Sequence, residues 1–201
     1  MSGWLEKVSQ ALHPLVAPPE RPAWNHASLV ELLGEVPRAE AAVLVAIRDA
    51  PDPGVVFTLR RDDLVHHAGQ VSFPGGRADP EDADAVATAL RESCEEIALD
   101  TRAVEPLGYL DRLETTSGFC VTPVVARLAP DAVLSPQPDE VARIFEVPLG
   151  FLLDPANLHA YDSHLHGVRR KMYEYVGVTP RIWGVTAMML VNLMRRMGLM
   201  P

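Results

Sequence analysis

Ala41 to Ile47 is apolar at every position and runs into Asp49-Ala50-Pro51-Asp52-Pro53-Gly54. An unbroken apolar run of strand length, closed by a proline- and glycine-rich turn, predicts a buried strand followed by a turn. Val55 to Arg60 reads as its partner across that turn, and Val71-Ser72-Phe73 as a short extended piece ending at Pro74-Gly75-Gly76. Val104–Leu113, Phe119–Leu128, Ile144–Leu153 and Met172–Val178 are strand-like, and 129–140, with three prolines, is a loop. Helical spacing appears at Trp4, Leu5, Val8 and Leu12, before a proline-rich connection from Pro14 to Pro22. It recurs from Ser28, a plausible N-cap, to Leu33, and from Trp183 to Met197 with Arg195-Arg196 in the last turn. A further helix follows Gly76. Asp79 or Asp82 is placed to cap it, Pro80 suits its first turn, and Glu81, Asp82 and Asp84 favour its positive end. Strands mixed with a few helices predict an α/β layered domain with a mixed sheet over residues 38–201, preceded by a helical extension over 1–37.

Composition narrows the class. The 201 residues suit one such domain, and 48% hydrophobic with 22% charged residues is enough to bury a real core. Twenty-seven acidic against 18 basic residues (net charge −9) argue against a non-specific nucleic-acid binder, which would carry a basic stripe. Anionic substrates stay open, because a bound metal ion dominates the local field. Cys94 and Cys120 form no close pair, so neither a zinc ribbon nor a disulfide framework is expected, and reduced thiols are. Met1 to Lys7 has no basic region followed by an apolar run, and Gly198 to Pro201 match no retention or peroxisomal address. The longest apolar segment, Ile182 to Met194, is 13 residues, too short to span a bilayer. A soluble cytoplasmic protein without membrane or nucleic-acid partners is expected, with a homodimer left open.

The chemistry concentrates in Arg91-Glu92-Ser93-Cys94-Glu95-Glu96. At 100° per residue, with Val86 at zero, Leu90, Cys94 and Ile97 fall at about 40°, 80° and 20°, forming an apolar stripe. Glu95, Glu92 and Glu96 fall at about 180°, 240° and 280°, and Arg91 at about 140°. Carboxylates this close repel one another unless a cation sits among them. Arg91, four residues before Glu95, is placed to neutralise it, leaving Glu92 and Glu96 to share divalent cations, which take hard oxygen ligands with water and substrate phosphate. Gly75-Gly76, 15 residues before Arg91, permits close backbone approach and a carbonyl facing a metal.

Turn, helix and carboxylates in this order resemble the Nudix hydrolases. Their box runs Gly, five residues, Glu, seven residues, then Arg-Glu-hydrophobic-any-Glu-Glu-any-Gly-hydrophobic. Here Gly76, five residues, Asp82, eight residues and Arg91 to Leu99 reproduce most of it. The departures are Asp82 for Glu, one extra residue, Ser93 for an aliphatic and Ala98 for Gly. The extra residue is a feature of the coenzyme A pyrophosphatase branch, which Ala68 to Gly76 and Ala87 to Glu92 also resemble. Thr58, Arg60, His67 and Gly69 are similar to that branch's upstream motif, and Phe145–Leu149 and Ile182–Ala187 to its downstream segments, so the resemblance covers roughly residues 40–195. Val65 stands where the upstream motif usually has arginine, and His66, Arg61 or Arg77 would have to supply that charge.

The resemblance implies a Nudix-type α/β/α sandwich and a pyrophosphohydrolase dependent on Mg²⁺ or Mn²⁺. It makes Glu92 and Glu96 the principal metal ligands, Glu95 a shared ligand or base held by Arg91, and the Gly76 carbonyl a further ligand. Glu140, just before the Ile144 strand, is the expected additional carboxylate. For coenzyme A the products would be 4′-phosphopantetheine and adenosine 3′,5′-bisphosphate, with Arg60, Arg61, His66, His67 and Arg77 as candidates for binding phosphate. Val65 favours an alternative, another nucleoside diphosphate derivative such as a nucleotide sugar or dinucleotide; a non-catalytic binding module is the third reading. His159, His164 and His166 match no standard zinc spacing and are read as incidental in a loop, with Arg169-Arg170-Lys171 either near phosphate or solvated.

Overall fold

The computed structural model describes residues 3–20, 22–64, 67–165 and 167–200. The chain runs through α1 (Gly3–Gln10), α2 (His26–Leu33), β1 (Ala39–Arg48), β2 (Gly54–Arg60), β3 (Val71–Ser72), β4 (Gly75–Arg77) and α3 (Ala85–Ile97). It continues through β5 (Val104–Tyr109), β6 (Leu113–Glu114), β7 (Phe119–Leu128), β8 (Val141–Pro148), α4 (Leu149–Leu152), β9 (Leu158–Leu165), β10 (Val168–Tyr175) and α5 (Gly184–Arg196). β1 pairs in parallel with β7 along its whole length and antiparallel with β2 and β4, so the main sheet is mixed. Its order is β3-β2-β1-β7-β5, with β4 on β1, β6 on β7 and β8 on β2.

The continuous apolar run in β1 is explained by helices on both faces. Ala42, Leu44 and Ala46 pack with Val124, Ala126 and Leu128 beneath Ala89 and Ile97 of α3. Val45 and Ile47 face the other way, into a core with Phe57, Val125, Leu5 and Val8 of α1, and Leu190 and Leu193 of α5. This is the α/β/α sandwich. Burying each such Val, Leu or Ile side chain contributes about 1.5–3 kcal/mol.

Several elements differ locally from the sequence reading. Asp84, not Asp79 or Asp82, caps α3, its Oδ1 accepting the Ala87 N–H at 2.8 Å, while Asp82 Oδ2 accepts the Asp79 N–H. Ser28 is no cap: α2 begins at His26, and the Asn25 side chain preceding it is spent on the Glu114 backbone through two 2.8 Å bonds. The Ile144–Leu153 segment is strand only to Pro148, which ends the ladder, and then turns into α4. The histidine segment is a β-hairpin rather than a loop. Cross-strand pairs His159–Glu174 (3.0 Å) and, on the opposite face, Asp162–Arg169 (2.7 Å) link its two strands; His166 lies outside the described residues.

The α3 stripe is also rotated. Thr88, Ala89, Ser93, Glu96 and Ile97 are its buried residues, whereas Val86, Leu90 and Cys94 are half-buried. The buried arc of Ala89, Ser93, Glu96 and Ile97 is displaced by roughly 70° from the predicted stripe. Small residues cause this: Ala89 and a fully buried Ser93, whose Oγ donates to Ala89 O at 2.6 Å, let the helix settle close to the sheet with Glu96 turned inward. That rotation carries the carboxylates to β4.

Candidate active site

Two adjacent glycines make the floor. β4 lies on β1 with Gly75 opposite Val43 and Gly76 opposite Ala42. Gly75 has φ +148, and a Cβ there would meet the Ala42 carbonyl oxygen and lie 2.5 Å from Val43 Cα, so only glycine fits. Gly76 faces the opposite constraint: the Glu92 carboxylate occupies the space a Cβ would take. The Gly75 N–H donates to Glu96 Oε2 at 3.1 Å. Bare backbone therefore meets two carboxylates one helical turn apart.

Arg91 organises the rim, with a different principal partner from the one its spacing suggests. It makes a two-pronged contact with Asp82 (Nε–Oδ1 3.0 Å, Nη2–Oδ2 2.9 Å), donates to Glu92 Oε1 at 2.9 Å and to the Arg77 carbonyl at 3.0 Å, and reaches Glu95 only at 3.5 Å. The hydrogen bonds from Arg91 hold the Asp82 carboxyl well below the usual carboxylate range. Glu92 is pushed up by burial, with Arg91 opposing. Burial pushes the Glu96 carboxyl up to about 7, against which stand the Gly75 N–H and a long contact to Arg60. Asp82 is the residue whose role the spacing concealed; its signal was the acid position of the box, because bidentate pairing to arginine needs a carboxylate at a distance the helix alone does not set.

The proline-rich segment before β8 closes the site. Its Ser135 and Gln137 N–H groups bond the Ile97 and Glu96 carbonyls at 3.0 and 2.8 Å, satisfying backbone acceptors at the end of α3. So strapped, it delivers Glu140, whose Oε2 lies 3.9 Å from Arg60 Nη2, while Arg60 Nη1 is 3.5 Å from Glu96 Oε1.

On the α5 side of β4 a cavity of about 440 Å³ opens, and Gly75, Gly76, Arg60, His67, Gln70 and Arg77 line it next to the carboxylates. The rest of its wall is mostly apolar, with Val43, Phe73, Phe119, Val121, Met172, Trp183, Val185 and Met189, and carries the hydroxyls of Ser72, Thr115, Thr116, Ser117 and Thr186. Phe73 is held by stacking on Phe57, whose other neighbour is Phe145 (centroids 4.9 and 5.6 Å). His67 sits at φ +57, a left-handed conformation unusual for a side-chain-bearing residue, and its Nδ1 is 2.9 Å from Gln70 Oε1.

The structure thus brings Arg91, Glu92, Glu96, Gly76, Arg60 and Glu140 together, with His67 and Arg77 on the cavity wall. Glu95 stays at the exposed rim. Arg61 is not brought to the cavity: its guanidinium closes on Asp63 (2.5 and 2.8 Å) and the Pro138 carbonyl (2.7 Å), because the turn after β2 points it outward. Val65 and His66 lie outside the described residues. The Met172 and Trp183 wall was hidden, since the hairpin and α5 are distant in sequence from the box.

Among the described residues, no three His, Cys, Asp or Glu side chains converge to cage an ion. Arg60 stands between Glu96 and Glu140, and Arg91 holds Glu92. The donors nonetheless suit a hard cation: two inward carboxylates against the glycine backbone of β4, one of them buried and met, among the described residues, only by the Gly75 N–H at 3.1 Å and Arg60 at 3.5 Å. Mg²⁺ and similar ions commonly take one or two carboxylates and complete their shell with water and substrate oxygens.

The NUDIX domain model matches residues 38–165. Proteins named uncharacterized Nudix hydrolase NudL, from Yersinia pestis and Yersinia pseudotuberculosis, are 39% identical over 159 residues, covering 79% of this chain and 80% of theirs. Among solved structures, a NUDIX hydrolase from Alicyclobacillus acidocaldarius aligns with 21% identity over 79% of this chain and 91% of its own, at a TM-score of 0.46. RenU, a Nudix hydrolase from M. smegmatis, aligns with 20% identity over 57% and 73%, at 0.47. This chain belongs to the Nudix family, hydrolases of phosphorus anhydrides that generally use divalent metal ions. No helix among its described residues is long and apolar enough to cross a membrane.

Proposed function

We propose that the chain is a cytoplasmic, Mg²⁺- or Mn²⁺-dependent pyrophosphohydrolase of coenzyme A or acyl-coenzyme A. The products are 4′-phosphopantetheine, or its acyl form, and adenosine 3′,5′-bisphosphate. The observation that carries this reading is the cavity. A mostly apolar chamber with a few hydroxyl groups opens off the glycine strand that touches the carboxylates, and Arg60, His67 and Arg77 line it too. That sequence of environments suits a substrate whose diphosphate is joined to a long, partly apolar arm. Two free cysteines accord with a reducing compartment.

Glu92 and Glu96, with the Gly76 carbonyl, would hold the metal. When bound, it neutralises diphosphate charge and acidifies a water. Arg91 fixes Glu92 in place through its anchor on Asp82. Arg60 and Arg77 bind and orient the diphosphate oxygens. Glu140, half exposed across Arg60 from Glu96, takes the proton from the attacking water, with Glu95 at the exposed rim of α3 as the other candidate base. Water oxygen bonds to one phosphorus, the bridging P–O bond breaks, and the second phosphate leaves with the bridging oxygen.

The alternative substrate class, nucleotide sugars or dinucleotides, rests on Val65 in place of arginine. Incubation with Mg²⁺ and a panel of coenzyme A, acetyl-coenzyme A, nucleotide sugars and dinucleotides, read by product mass, separates the two. Release of adenosine 3′,5′-bisphosphate from coenzyme A is expected. Hydrolysis confined to nucleotide sugars or dinucleotides would overturn the substrate assignment.

A further inference from the structure

Arg60 does more than line a cavity. A register shift between Leu59 and Arg60 in the β2–β8 pairing re-aims the side chain at the strand's end. Its guanidinium lies between Glu96 (3.5 Å) and Glu140 (3.9 Å), closing a full-strength bond with neither. Its Nε is buried without a hydrogen-bond partner. Arginine stays charged at any physiological pH, so this is a permanent cation, loosely seated between two acids and facing the cavity.

We propose that Arg60 is a built-in counter-ion. It stands as the positive charge beside Glu96 and Glu140 before a metal binds, and would swing to the substrate's phosphate when Glu96 takes the ion. Resting on the reading of Glu96 as a metal ligand, this couples metal and substrate through one side chain. The ion alone must displace a like charge, whereas ion and phosphate together give that charge a new partner. By linkage, each ligand then strengthens the other.

The test is Mn²⁺ binding without substrate, followed by the electron paramagnetic resonance signal of the free ion. Arg60→Met is expected to bind Mn²⁺ roughly tenfold more tightly than wild type, because a charge close to the ligands is removed. Its KM for the hydrolysed substrate should rise about tenfold at saturating Mn²⁺, with kcat changed less. Equal or weaker Mn²⁺ binding, or an unchanged KM, overturns the proposal. Arg60→Lys keeps a competing cation and should gain about threefold, which carries the test if the methionine variant does not fold. In wild type, Mg²⁺ titration should shift the Arg60 Nε–H nuclear magnetic resonance signal, and a signal unmoved at saturation also refutes it. Glu96→Gln separates the underlying reading. Wild-type Mn²⁺ affinity in that variant removes the ligand assignment itself, whereas lost affinity with no gain in Arg60→Met removes the counter-ion alone.

Discussion

Replacing Gly76 with alanine should damage the site while sparing the fold. The new Cβ would lie 2.5 Å from Cδ and 2.8 Å from Oε1 of Glu92, whereas ordinary contact begins at 3.4 Å. The obstructing group is the far end of a flexible side chain, so the carboxylate yields, retreating about 1 Å, a displacement that can cost on the order of 10²-fold in rate. Its 2.9 Å tether to Arg91 would loosen with it. Stability should change by no more than about 1 kcal/mol. Gly75→Ala is the contrasting variant. There the Cβ would run into Val43 Cα and the Ala42 carbonyl, backbone atoms of β1, at φ +148. Neither can give way without parting β4 from β1, so several kcal/mol of stability should be lost, on the order of the larger point-mutant effects. Calorimetric Tm and Mn²⁺-supported turnover, measured on both variants, decide the matter. Wild-type turnover in Gly76→Ala would refute the placing of Glu92 at the metal. A Tm loss matching that of Gly75→Ala would refute the claim that the carboxylate alone moves.

Other expectations follow from single groups. Glu96→Gln should lower turnover by orders of magnitude. In the metal-free protein, a Glu96 carboxyl raised from 4.5 to about 7 keeps its proton folded where it has lost it unfolded. Stability in EDTA should therefore fall as pH rises from 4.5 to about 7, by roughly 3 kcal/mol at full effect. Calorimetry should show this slope in wild type, flattened in Glu96→Gln; an unchanged slope counts against the buried acid as its source. Ala98 ends α3 at φ 51 and ψ 38, a left-handed conformation where the family box has glycine. Ala98→Gly should stabilise by about 0.5–1 kcal/mol in denaturant titration without altering turnover. Asp82→Ala removes the anchor of Arg91 and should reduce turnover about tenfold or more through a misplaced Glu92, with KM less affected. An unaffected kcat would mean that Arg91 is positioned by something else.

The sequence by itself determined a layered α/β domain and the place of the chemistry, and its likeness to the Nudix hydrolases supplied the sandwich. Seven consecutive apolar residues in β1 require cover on both faces, and glycines, capped helix and carboxylates lie within about 25 residues, where local spacing is informative. Angular positions on an ideal helix put Glu92 and Glu96 on one edge. They did not foresee the rotation of α3, because that depends on how closely Ala89 and Ser93 let the helix approach the sheet. Nor did four-residue spacing reveal that Arg91 prefers Asp82 to Glu95: Asp82 comes from the loop before the helix, and loop geometry is set by packing. The position of Arg60 between Glu96 and Glu140 joins three segments spread from β2 to β8, and the wall of Met172, Trp183 and Met189 comes from still further along the chain. Local pattern fixes which groups a segment carries. Only the tertiary structure decides which groups from distant segments meet, since packing complementarity between whole elements, not spacing within one, sets those distances.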